Sequence, residues 1–193
     1  MKNKIKYISL IIIFFVTFSL WSKPPEIGFA AENCAATLAL RFGANCANLQ
    51  APLLLSTSEL CESLKAESTI ASQLETTADC TKVVFAAGTV DANSHIAMTG
   101  LLDADILSKM GKQGAAGAIC GGIIDQNGAP MPTPNEGQMI RITLEQMREK
   151  EMGILVSAGR DRAPADRAVI KSGYVTHLAT CSASAQMLLE DIS

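Results

Sequence analysis

The chain has 193 residues, of which 48% are apolar, 18% charged and 5% aromatic, with a formal net charge of −3. That length suits one domain with a sizeable core, built from Leu, Ile, Val, Ala and Met rather than from rings. The acidic balance gives no general drive toward nucleic acid or anionic membranes, and no basic patch or DNA-reading motif is legible.

The N-terminal stretch stands apart. "MKNKIKYISLIIIFFVTFSLWSK" opens with lysines and continues as an uncharged apolar run from about Tyr7 to Trp21. This is the shape of a secretory signal, and Gly28 and Ala30 offer small residues for cleavage. Residues 1–30 therefore read as a signal-peptide-like or membrane-anchor segment, and 31–193 as the folded domain.

Beyond Pro25 the pattern alternates. "AENCAATLALRF" has helical periodicity and stops at Gly43, a natural residue to follow a helix end. A short strand is expected over 45–49. Ser56-x-x-Glu59 reads as a capping box opening a helix to about Lys65, and a second helix covers 67–78. "KVVFAAG" (82–88) reads as one apolar strand, and "LDADILSKM" as a helix closed by Gly111. "AAGAICGGIIDQNGAPM" predicts strand, turn, strand, with Gln126-Asn127-Gly128 as the tight turn. "QMIRI" follows as a strand. Thr143-x-x-Gln146 is a second capping box, ahead of the helix "LEQMREK". Strand "GILVSAG", a helix over 163–172, strand "VTHLAT" and a final helix "SASAQMLLEDI" complete the order. Short apolar strands alternating with amphipathic helices predict an α/β fold: a mostly parallel, Rossmann-like sheet with helices on both faces.

Six cysteines lie scattered among Ala, Leu and Val with no C-x-x-C pair, so they read as free core thiols and not as zinc ligands. No cofactor motif is present. Ligands of such sheets sit at the carboxyl ends of strands, which directs attention to three bends. They are Gly88-Thr89, Gly117-Ala118, and "SAGRDRAP" with Gly159, Arg160 and Arg162. Small residues let backbone approach a ligand, and arginine's planar fork matches phosphate or carboxylate. The bends thus predict a small-anion site.

Taken together, these bends and their surroundings resemble a known family. The segments "LALRFGANCANLQAPLLLSTSELCESLKAE", "GTVDANSHIAMTGLLDADILSKMGKQGAAGAICGGIIDQNGAPM" and "AGRDRAPADRAVIKSGYVTHLAT" are similar to the sugar-binding domain of SorC-type transcriptional regulators. The resemblance runs from about Ala31 to Glu190. It implies a phosphorylated-sugar effector domain whose fold is similar to the ribose-5-phosphate isomerase and CoA-transferase group, here missing its first βα portion. It also implies cytoplasmic location and homo-oligomers, whereas the N-terminal segment implies export or membrane contact. No helix-turn-helix pattern precedes the matched region, so direct nucleic-acid binding is not expected.

The sequence departs from the family pattern at the site itself. Ala118 stands where the family carries an aspartate, Arg162 where it carries a lysine, Ala158 for a glycine, and Cys181 for the aspartate of a Thr-Asp pair. These changes predict a weakened or altered effector site. They also count against the alternative of a sugar-phosphate isomerase or hydrolase, which needs a positioned carboxylate or amine. A remnant without function is the other alternative. His95 reads first as a loop histidine, His177 as a sheet histidine, and Asp103 and Asp105 as helix-start carboxylates.

Overall fold

A computed structural model describes residues 10–12 and 31–190. The expected signal-like segment, with its cleavage residues Gly28 and Ala30, lies outside the described residues apart from Leu10–Ile12.

Those three residues form β1 (Leu10–Ile12), which pairs in parallel with Lys82–Val84. The sheet therefore draws on a segment that the sequence reading separates from the domain, and a strand does stand ahead of the 82–85 strand. Helix α1 (Ala31–Phe42) ends on Gly43, whose φ of 62° is the left-handed conformation that closes helices. Helix α2 (Ser58–Ala66) is capped by Thr57, which accepts from the Leu60 N–H at 3.1 Å. The cap thus falls one residue after the expected Ser56. Helix α3 (Ser68–Asp79) leads into β2 (Lys82–Phe85).

The chain then leaves one sheet for another. After Phe85 it passes into β3 (Ala87–Gly88), so the single strand expected over 82–88 is divided between two sheets. Short α4 (His95–Met98) and α5 (Ala104–Lys112) follow, the latter running past the expected stop at Gly111. Then come β4 (Ala115–Ile119), β5 (Gly122–Asp125) and β6 (Pro130–Met131). The β4–β5 turn is Cys120-Gly121, with φ of 49° and 76°. Both central residues at positive φ match the twist of the strands they join. The expected turn at Gln126-Asn127-Gly128 is also present, linking β5 to β6, with Asp125 Oδ1 accepting from the N–H groups of Asn127 and Ala129.

Helix α6 (Leu144–Arg148) shows the Thr143/Gln146 capping box in both directions, at 3.1 and 2.9 Å. Strand β7 (Met152–Val156), a 3-10 turn at Arg160–Arg162, helix α7 (Ala163–Lys171), β8 (His177–Ala179) and α8 (Ser182–Glu190) close the order.

The result is a mixed α/β fold with two four-stranded sheets: β1-β2-β7-β8, all parallel, and β3-β4-β5-β6, all antiparallel. This corrects the expectation of one mostly parallel sheet. The two-residue turn at Cys120-Gly121 is too short for a crossover and forces antiparallel pairing. In β2 and β7, Val83, Phe85, Gly153 and Leu155 are buried, while Lys82, Val84, Met152 and Ile154 on the alternate face are only half-buried.

Two expected strands are absent. Residues 45–49 have no regular structure, and "QMIRI" makes only an isolated bridge, Leu54 to Met139. Its apolar residues instead serve three different clusters: Ile142 packs in the first, Met139 in the second and Ile140 in the third. A segment feeding separate clusters cannot keep the alternation of a strand. The five described cysteines are free: Cys61, Cys80 and Cys120 are buried, as the composition suggested, whereas Cys46 and Cys181 are exposed.

Candidate functional site

The first two bends meet because β3 pairs with β4, placing Gly88 opposite Ala118 and Ala87 opposite Ile119. The start of α7 lies directly on them. A Cβ added at Gly117 would stand 2.6 Å from the Ala165 Cβ and 3.4 Å from the Gly88 carbonyl oxygen. Glycine is needed at 117 because a helix crosses there.

The third bend is drawn in by its arginine. Arg162 Nη1 donates to the Ala87 carbonyl at 3.4 Å, carrying the guanidinium back over the first bend. Gly159, at φ 129°, turns the chain out of β7, and its N–H donates to Ser184 Oγ at 3.1 Å, which ties the bend to α8. Pro164 in the first turn of α7 suits that place, where its missing N–H costs nothing.

Of the expected site residues, Gly88, Gly117 and Arg162 are therefore brought together, while Gly159 turns the chain that carries Arg162. Thr89 faces an adjoining cleft, while Arg160 is exposed on the 3-10 turn. Ala118 is different: it is fully buried in the core with Leu53, Ile96 and Leu101, so its methyl group belongs to packing.

The electrostatics centre on a residue that the sequence reading missed. Asp166, on the first turn of α7, is completely buried. Desolvation raises its carboxyl above the ordinary range; Ser157 and the Arg162 charge oppose that rise, and Asp161 reinforces it. His95, half-buried at the start of α4, is held below the ordinary histidine value, first by burial and then by the Arg162 charge. The Arg162 charge thus acts on both a buried acid and a half-buried histidine. His177 is the sheet histidine expected: it lies exposed on β8 with its Nδ1 2.8 Å from Thr176 Oγ1, away from this group. Nothing in "APADRAVI" marks Asp166 as special, since a carboxylate in a helix's first turn is ordinary at the surface.

On the outer side of α7 runs a cleft of about 460 Å³. Thr89, Asp91, Gln126, Asp161, Arg167 and Lys171 line it. Arg167 is anchored by donating to the Met187 carbonyl at 3.0 Å. Among the described residues, no group of three or more His, Cys, Asp or Glu could hold a metal ion. No helix among them is long and apolar enough to cross a membrane. Chemically, the bends offer backbone at close range and one half-buried guanidinium, which is equipment for holding an anion.

Fold and bends together define an α/β ligand-binding domain. The chain matches the Sugar-bind family model, described as "Putative sugar-binding domain", over residues 17–190, and it belongs to that family. It is 27% identical over 170 residues to the uncharacterized transcriptional regulator YjhU of Escherichia coli (strain K12), covering 88% of this chain and 52% of that protein. Among solved structures it is similar to the full-length sorbitol operon regulator SorC from Klebsiella pneumoniae, with a TM-score of 0.77 and 17% identity over 86% of this chain and 54% of the other. A transcriptional regulator from Streptococcus pneumoniae TIGR4 gives 0.76 and 17%, over 88% and 65%. The resemblance to SorC-type sugar-binding domains is thereby borne out. The chain spans about half the length of the curated relative it matches.

Proposed function

We propose that the chain binds a phosphorylated sugar, or a related small anion, where the three bends meet, and that this is the sensing step of a SorC-type regulator. The observation that carries the reading is the Arg162–Ala87 contact, which brings the cationic bend onto the two glycine-bearing bends. Arginine suits a phosphate there because its charge persists at every relevant pH and its donors form a fork. Sensing would act by favouring one of two regulator states, which requires different effector affinity in each.

Binding is favoured over catalysis by the same geometry. A guanidinium stands where an amine base would be needed, and Ala118 contributes only a buried methyl. The matched family is likewise described by what it binds. The wider kinship to the isomerase and CoA-transferase group remains part of this proposal and carries no weight in it.

Isothermal calorimetry with ribose 5-phosphate and a panel of hexose phosphates tests the reading. Saturable heat is expected with at least one member, weakened tenfold or more in Arg162→Ala. Folded protein that gives no heat with any of them would overturn it.

A further inference from the structure

We propose that Asp166 determines what this site accepts: an anion held by Arg162 enters together with a proton that settles on the Asp166 carboxyl group. The inference rests on the anion-binding reading above and adds a rule for its charge.

The argument begins with burial. Asp166 is 0% exposed, and neither carboxylate oxygen reaches ordinary hydrogen-bond geometry with any partner. The Ser157 hydroxyl, its polar neighbour at the end of β7, is buried and falls short in the same way. A charge removed from water in this manner is costly unless an opposite charge or a set of donors replaces the water. Neither Asp166 oxygen has such a set among the described residues.

What favours the ionised form of Asp166 against this desolvation is first the Ser157 hydroxyl and then the field of Arg162. The groups facing it are Ser157 beyond β7, and Arg162 and Asp161 on the 3-10 turn before α7. Arg162 is the cation among them; Asp161 works against the charge. Arg162 is faced in turn by His95 of α4, whose imidazole burial and the guanidinium hold below the ordinary histidine value.

An anion arriving on Arg162 cancels that residue's favourable field and adds a like charge beside a dry carboxyl group. Ionised Asp166 and the ligand then compete for the same cation. The competition ends when Asp166 takes a proton from solvent onto one oxygen. No other bond forms or breaks, and a dianionic ligand adds a net charge of −1. The site is thereby selective: Asp166 penalises anions at high pH, where the proton is scarce, and admits them as pH falls.

Calorimetry of ribose 5-phosphate and of inorganic phosphate, in pairs of buffers with different ionisation enthalpies from pH 5 to 8, counts the protons taken up. Asp166→Asn is isosteric and subtracts the ligand's own protonation. Wild type is expected to take up more protons than the variant. The variant should bind about tenfold more tightly at pH 8 and nearly equally at pH 5. Equal proton counts and a pH-independent affinity ratio would remove this inference and leave the binding reading standing. Absence of binding by both proteins would remove both.

A second measurement needs no ligand. A carboxyl group raised on folding carries no penalty below its unfolded value, and stability is lost as pH climbs through the folded one. The stability advantage of Asp166→Asn in urea denaturation should therefore grow from pH 4 to pH 8. A constant difference would overturn the proposal.

Discussion

At the scale of single residues, the site is governed by where charge is put. Arg162 serves two neighbours: the Ala87 carbonyl, through a hydrogen bond, and the Asp166 carboxylate, through its field. Removing it leaves Asp166 either charged without that field or obliged to take up a proton, and either costs more than one long hydrogen bond. Arg162→Ala is thus expected to destabilise the protein by about 2 kcal/mol at pH 7. Adding Asp166→Asn should recover at least half of the loss, because that carboxyl group is then gone. Urea denaturation of the two single variants and the double variant checks this, and simple additivity would contradict it. Gly117 is a residue-scale constraint of another kind, set by contact with Ala165 and not by backbone freedom.

At the scale of elements, the signals that held were those stored in adjacent residues. The Thr143/Gln146 box needs only four positions in sequence, and it forms as read. Helix α6 has just five residues, with Leu144 and Met147 buried, so its start must be held locally while its apolar side docks. Thr143→Ala is expected to cost about 1 kcal/mol, seen as a lower midpoint in thermal unfolding. Thr143→Ser should restore most of it. The strands fared differently. "KVVFAAG" is uniformly apolar, and no local feature says that Phe85 belongs to a parallel sheet and Ala87 to an antiparallel one. "QMIRI" has a strand's composition but spreads its side chains over three clusters.

For the whole molecule, the decisive feature is that the two sheets share a core. One cluster contains Val83, Phe85 and Leu155 of the parallel sheet, Ile119 and Ile124 of the antiparallel sheet, and Ala165, Ala168 and Val169 of α7. Helix α7 is the common wall, and its N-terminus is also where the three bends meet. Neither sheet can expose its inner face without exposing the other's, so unfolding is expected as a single cooperative transition. Far-ultraviolet circular dichroism and hydrogen exchange at β4 and β7 should report the same midpoint. Two resolved transitions would show that the sheets are separate units.

The sequence alone was enough for the family, for most helices and for the free buried thiols. These depend on composition and on neighbours in the chain, where propensity, capping and turn chemistry act over a few residues. It did not disclose the division into two sheets, the entry of Leu10–Ile12 into one of them, the burial of Ala118, or the role of Asp166. Each of those is decided by what packs against a residue from far along the chain. A first-turn aspartate is a surface ornament or a buried charge depending only on which side of the helix meets β7, and that is known only once the helix is docked.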